Sequence, residues 1–430
     1  MRFGGLWRHP DFVRLWAAAT VSTFGSLVTR TALPFTAILA LGAGPLQIGL
    51  LTSAELGPGF LVGLVAGAWV DRLPRRPILI GSDLARAPLL ATIPAAALAG
   101  VLSLWQLYLV AALSSVLGVC FDVAYQSYLP SLVRREELLE GNSKLTAAGA
   151  VAEAAAFSSG GWLVQWLTGP IAMLVDAVTF LGSALLVWRI RAPESPAAAP
   201  ERRPGIATEV GEGVRFVAGR PLLRALAGSD TALNLGHGLT GAVFLLYVNQ
   251  ELGFEPGVLG LIFAVGGVGS FLGAVATGRL ARFGIGPVLI GALAVAAAGQ
   301  GLVPLARGAG AMAIVLLVAQ QLIADPAETV YAVGQVSLRQ AATPGRLQGR
   351  VNASARVLEV GATLIGALAG GVLGGGIGLR TTLVAGLAVR MIGVVWLLFS
   401  PVRGMRETPP VVTGEAMWDG DGALPGEPLG

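Results

Sequence analysis

Nine side chains able to carry charge or to hydrogen-bond strongly stand inside long apolar runs: Arg30, Glu55, Asp122, Glu153, Asp230, Asn234, His237, Asp325 and Glu328. Ionisable groups at membrane depth are costly and are retained where they pair, carry protons or meet a charged solute. At 1.5 Å per residue, Arg30 lies about 16 Å and Glu55 about 12 Å below the same end of the first two runs. They can pair across adjacent helices or meet such a solute. Asp230, Asn234 and His237 fall at i, i+4 and i+7 and so share one helix face. Asp325-Pro326-Ala327-Glu328 places two acids beside a kink-forming proline. Asp122 and Glu153 are acids of the fourth and fifth runs, able to carry a proton or to be held neutral by serines and backbone. Arg356 and Glu359, at i and i+3, are expected to pair with each other.

The same inventory argues against other chemistry. There is no Gly-x-x-x-x-Gly-Lys-Ser/Thr phosphate loop, no His/Cys metal cluster and no Ser/His/Asp constellation. No cofactor, no nucleotide partner and no enzymatic activity are therefore expected, and any solute movement must draw on a gradient. The single cysteine, Cys120, excludes an intramolecular disulfide.

The elements that position these residues are membrane helices. Of 430 residues, 54% are hydrophobic and 13% charged, about half the charge that a water-facing surface needs. Apolar segments of spanning length run over 12–41, 47–70, 77–100, 104–130, 143–167 and 170–190. They resume over 222–250, 257–280, 285–306, 310–338, 353–378 and 380–401, giving about twelve transmembrane helices and an all-α integral membrane fold. Between the two sets lies a Pro/Ala-rich stretch, followed by Glu209–Arg220. There Val210, Val214 and Val217 recur at helical spacing, which predicts a short surface helix. The tail from Arg403 is rich in Gly, Pro and acid and is expected to be disordered.

Arginine placement sets the orientation. Arg2, Arg8, Arg14, Arg72, Arg75, Arg76, Arg134 and Arg135 fall on one side, as do Arg202, Arg203, Arg279, Arg282, Arg346 and Arg403. The opposite connections hold little beyond Arg307 and Arg380. By the positive-inside rule both termini are expected in the cytoplasm of a bacterium, with the chain multi-pass in its inner membrane. This asymmetry accounts for the net charge of +4 without a nucleic-acid partner, because no basic patch alternates with exposed aromatics.

The halves resemble each other. The segment from Gly49 aligns with that from Gly260, pairing Gly67 with Gly278, and Gly25 matches Gly236. Later, Asn142 pairs with Asn352 and Gly160–Gly161 with Gly370–Gly371, in the same order and at near-constant offset. A parallel six-plus-six repeat follows. The expected organisation is a six-helix half over 1–190, a linker over 191–221, a second six-helix half over 222–402 and a tail over 403–430.

Between the second and third runs stands Gly67-Ala-Trp-Val-Asp71-Arg72-Leu-Pro-Arg75-Arg76. It resembles the signature loop of the major facilitator superfamily, Gly-x-Leu-Ala-Asp-Arg-x-Gly-Arg-Lys, with Pro74 in place of a glycine. The resemblance covers about residues 8–402 and is nearest to the enterobactin-exporter-like branch of bacterial efflux proteins. The supporting phrases include Thr31-Ala-Leu-Pro34, Tyr128-Leu-Pro-Ser-Leu-Val-Arg-Arg-Glu-Glu-Leu138 and Pro344-Gly-Arg-Leu-Gln-Gly-Arg-Val-Asn352. It implies two halves around a central cavity and export of a small hydrophobic or amphipathic molecule by alternating access, and protons are a candidate coupling partner. In it Gly67, Asp71, Arg72, Arg75 and Arg76 form a gating loop, and the nine membrane-depth residues are candidates for the proton or substrate cavity. Asp176 and Arg390 fall on helices that this fold puts at the periphery and read as structural. The chain departs from drug:proton antiporters at Ala156–Phe157, where those carry Gly-Pro, and at Ser114, near which they carry an arginine. An importer or uniporter of the same fold, or a receptor or scaffold without transport, is the alternative reading.

Overall fold

The computed structural model describes residues 5–70, 73–192 and 206–407. Asp71 and Arg72 of the loop, residues 193–205 of the linker and residues 408–430 of the tail lie outside them.

The described chain is helical throughout. The first six long helices are α1 (Pro10–Leu41), α2 (Pro45–Val70), α3 (Arg75–Leu98), α4 (Leu104–Leu132), α5 (Leu138–Leu167) and α6 (Gly169–Trp188). A short helix, α7 (Ile206–Ala218), precedes α8 (Pro221–Leu246), α9 (Pro256–Leu280), α10 (Ile285–Gln300), α11 (Ala311–Ala341), α12 (Gln348–Ile377) and α13 (Leu379–Leu398). A π-type turn, Tyr247–Glu251, continues α8. Eleven helices are long and apolar enough to cross a membrane among the described residues. The long helix outside that set is α5, whose sequence carries Glu140, Lys144, Glu153 and Gln165. It nonetheless packs inside the bundle, against α1 and α9.

The packing repeats as the sequence does. In the first set α1 lies on α5 and α6, α2 on α4, and α3 on α4 and α6; in the second α8 lies on α12 and α13, α9 on α11, and α10 on α11 and α13. The sets meet through α2 with α12 and through α5 with α9, again an equivalent pair. The last turn of each set is duplicated as well: Thr168 links α5 to α6 at φ 71°, ψ 156°, and Gly378 links α12 to α13 at φ 88°, ψ 157°.

Small residues allow the close crossings, as expected where lipid supplies no hydrophobic drive between helices. Gly238 of α8 faces Gly366 and Ala367 of α12, and a Cβ there would lie 2.8 Å from the Ala367 amide nitrogen. Gly370 lies against Leu239 in the same seam. Gly238→Val should therefore force α8 and α12 apart. Overpacking of this kind costs about 1–3 kcal/mol, and detergent-extracted protein should show a Tm several degrees lower. An unchanged melting curve would mean that the seam is loose.

Side chains also cap helix ends near the amino terminus. Asp11 accepts from the Arg191 and Ala192 amides at 3.3 and 3.0 Å, while Arg14 donates to the Arg189 carbonyl at 2.9 Å. Arg76 donates to the Trp188 carbonyl at 2.5 Å and so anchors α3 to the end of α6. In the next connection on that side, Arg134 donates to Glu137 from its amide and, at 2.8 Å, from its guanidinium, which holds the Glu137 carboxyl down at about 2. Glu137 thus stays charged, and the clip closed, until the pH falls to that value.

The surface helix of the linker starts earlier than its valine spacing indicates and is docked. Ser354 of α12 donates to the Val210 carbonyl at 3.0 Å, Glu212 pairs with Arg350, and Gly213 lies against the Arg350 backbone.

Candidate functional site

The contacts between the two sets concentrate at the end of the bundle away from the amino terminus. There Gly49 faces Ala367, and Gly371 lies against Pro45 and Leu46. Gln165 bonds Glu255 with its amide and accepts from the Gly257 amide at 3.0 Å, while Gly161 lies against Pro256. Leu364 of α12 approaches Gly57 of α2 nearer the middle.

Toward the amino-terminal end a cavity of about 500 Å³ opens between α1, α4 and α5. Its polar lining is uncharged: Thr20 and Thr23 of α1, Tyr125 and Gln126 of α4, and Asn142 and Thr146 of α5. Helical periodicity carries these faces inward to charge. Arg30 is exposed seven residues beyond Thr23, Asp122 is exposed one turn before Gln126, and Glu153 is exposed one turn beyond Gly149. Three of the nine sequence candidates thus lie on the helices that line this cavity, further along them than its lining residues. Glu55 is partly buried on α2, close enough to Arg30 for the arginine's charge to act on it.

The second set builds a different arrangement. Arg390 of α13 is 2% exposed and donates to Glu328 Oε1 of α11 at 2.5 Å. Its other terminal nitrogen lies 3.3 Å from His237 Nδ1 of α8. The structural reading of Arg390 fits this buried pair, and the side chain also reaches the polar residues of α8: the stem passes along Gly236, where a Cβ would stand 2.6 Å from its Cγ. A missing side chain on α8 lets an outer helix reach the middle.

The common face of Asp230, Asn234 and His237 is split among partners. Asp230 is buried and accepts from the Tyr331 hydroxyl at 2.8 Å and from Gln335, with Ser229 and Tyr331 hydroxyls 2.7 Å apart. Asn234 donates to the Asp230 carbonyl at 2.9 Å, which satisfies its amide locally. Only His237 is exposed among the three. Asp325 faces Gly266 of α9, where a Cβ would meet its carboxylate, whereas Glu328 faces Arg390. The two acids around Pro326 therefore serve different interfaces. Arg356 and Glu359 pair at 3.5 Å as their spacing predicts, and Arg339 joins Glu359 at 3.7 Å.

One cluster escaped the sequence reading. Asp83 and Arg86 of α3 pair at 2.5 Å with exposures of 0% and 5%, and the Arg86 guanidinium stacks over Phe180 at 4.1 Å and Phe121 at 5.1 Å. Asp176 of α6 is buried beside Thr179 and faces Gly25 of α1. The signal was present as an acid and a base at i and i+3 within the apolar run 77–100.

Two six-helix sets of the same packing meet at the end away from the amino terminus, and a polar cavity of the first set lies toward the other end. The family model "Major Facilitator Superfamily" matches residues 15–324, and the chain belongs to that superfamily of transporters. Multidrug efflux pump Tap of Mycolicibacterium fortuitum is 30% identical over 64% of this chain and 68% of its own length. Enterobactin exporter EntS of Salmonella typhimurium is 26% identical over 94% of this chain and 95% of its own. Among solved structures, a bacterial homologue of the iron transporter ferroportin in its inward-facing state superposes with a TM-score of 0.70. It is 18% identical and covers 92% of this chain and 99% of its own, a likeness of fold. The protein is a multi-pass membrane transporter.

Proposed function

We propose that this transporter exports a small hydrophobic or amphipathic molecule across the bacterial inner membrane by alternating access, driven by the proton gradient. The observation that carries the reading is the one-ended cavity: the helix pairs α2–α12 and α5–α9 meet at one end, and the uncharged polar walls open at the other. With both termini cytoplasmic, as the arginine bias indicates, this is the state in which a cytoplasmic solute enters. The halves 1–190 and 222–402 would then rock about the membrane midplane to reopen the opposite end. Likeness to an efflux pump and to an exporter supports the outward direction.

The coupling site is sought among the acids of the helices that line the cavity. Asp122 and Glu153 are exposed on the faces that carry the polar lining, so at least one of them exchanges a proton for substrate. A panel of amphipathic dyes, antibiotics and siderophores in a pump-deficient host should identify a compound whose accumulation falls on expression. In proteoliposomes with an imposed pH gradient, Asp122→Asn or Glu153→Gln should then cut transport of that compound at least about tenfold, the effect of roughly 1.4 kcal/mol on a coupled step. Full transport by both variants would move the proton site elsewhere. Wild-type transport indifferent to the gradient would make the protein a uniporter or assign it another coupling ion.

A further inference from the structure

We propose that His237 is a proton-accepting switch of the transport cycle, whose Nδ1 accepts from the positioning residue Arg390 in the present conformation, with Glu328 as the group that keeps the guanidinium paired when the imidazole is protonated. The inference rests on the carrier reading above for its purpose, but not for its chemistry. Arginine has donors and no acceptor. The 3.3 Å approach of Arg390 Nη2 to His237 Nδ1 is therefore a hydrogen bond only if Nδ1 offers its lone pair, which puts the proton of a neutral ring on Nε2. A proton delivered to Nδ1 gives an imidazolium with N–H on both nitrogens. The bond to Arg390 then breaks, and two cations face each other. Arg390 keeps its 2.5 Å bond to Glu328 Oε1, so its charge stays balanced while the tie from α13 to α8 is lost.

The surroundings allow that change to matter. Arg390 cannot swing away freely, because its stem crosses α8 at Gly236 and its residue is 2% exposed. The charged groups around the imidazole come from three helices: Arg390 from α13, Glu328 from α11 and Arg30 from α1 across the junction of the halves. Glu55 on α2 stands beside Arg30, and Asp325, one turn from Glu328, faces α9. Helix α12 meets this part of α8 with the backbone of Gly366 and Gly370. A positive charge on His237 would thus be felt by both halves at once. In the export cycle the present state, open toward the termini, is the one in which the proton has left.

The chain has two histidines, His9 and His237, so ¹⁵N-histidine labelling reads the switch without any substrate. Full-length protein in lipid nanodiscs is titrated by NMR, with His9→Gln to assign the signals. At pH 7.5 the His237 ring should show one protonated nitrogen, Nε2, and one bare nitrogen, Nδ1. As the pH is lowered the Nδ1 signal should change from bare to protonated, because Arg390 offers that nitrogen only donors. In Arg390→Met/Glu328→Met, which leaves no unpaired charge, the single tautomer should give way to a mixture. A wild-type ring protonated on Nδ1 at pH 7.5, or a single Nε2 tautomer that persists in Arg390→Met/Glu328→Met, would overturn the proposal while leaving the carrier reading intact. A transporter indifferent to pH gradients would overturn the switch together with proton coupling, even if the ring showed the expected tautomer.

Discussion

Arg390→Met is expected to be the most destabilising single charge removal in the second half of the chain. It leaves Glu328 facing α13 without its 2.5 Å partner and opens the contact to His237. Removing one member of a buried ion pair costs about 3–5 kcal/mol, because the surviving charge is stranded. The Glu328 side chain is 29% exposed, so the lower end of that range applies. Total stabilities are only about 5–15 kcal/mol, and the yield of monodisperse protein after extraction should collapse. The double variant Arg390→Met/Glu328→Met removes both charges and should recover most of that yield, since apolar replacement of a whole pair is often neutral or better. A single variant as stable as wild type would return Arg390 to a peripheral role.

Asp71→Asn should have the largest effect on transport for the smallest effect on folding. Asp71 follows α2 (Pro45–Val70) and precedes the Arg75 and Arg76 that open α3. Arg76 is committed to the last carbonyls of α6, a fixed anchor. The proposed gating role, which rests on the resemblance of its loop, has Asp71 engage a cation of a neighbouring helix as that end of the carrier closes. Asparagine keeps its size and loses that charge. We expect a transport rate at least about tenfold lower, which corresponds to roughly 1.4 kcal/mol in the limiting step, at unchanged membrane abundance. Normal rates would reduce Asp71 to a solvated loop charge.

Much of the fold was legible because membrane helices write themselves in hydropathy and the duplication repeats its glycines. Gly25 and Gly236, paired in the sequence, both admit a polar side chain of the last helix in their set: Asp176 at Gly25 and Arg390 at Gly236. What periodicity could not supply was the partner. Asp230, Asn234 and His237 share a face, yet their fates depend on Tyr331, Gln335 and Arg390, which lie about a hundred residues or more away. Arg390 sits on α13, yet a long side chain opposite a glycine can cross a helix, which periodicity does not show. Asp83 and Arg86 are legible only as a pair, through their i, i+3 spacing. The polar cavity lining was equally hard to see. Thr23, Gln126 and Asn142 are unremarkable residues until three helices bring them together.

Thr146 lines the cavity from α5 and is exposed. In a Cys120→Ser background, Thr146→Cys offers one thiol to a membrane-impermeant maleimide. An exporter resting open to the cytoplasm predicts rapid labelling in inside-out vesicles and little in right-side-out vesicles. Labelling confined to right-side-out vesicles would contradict both the orientation and the loading state on which the export reading depends.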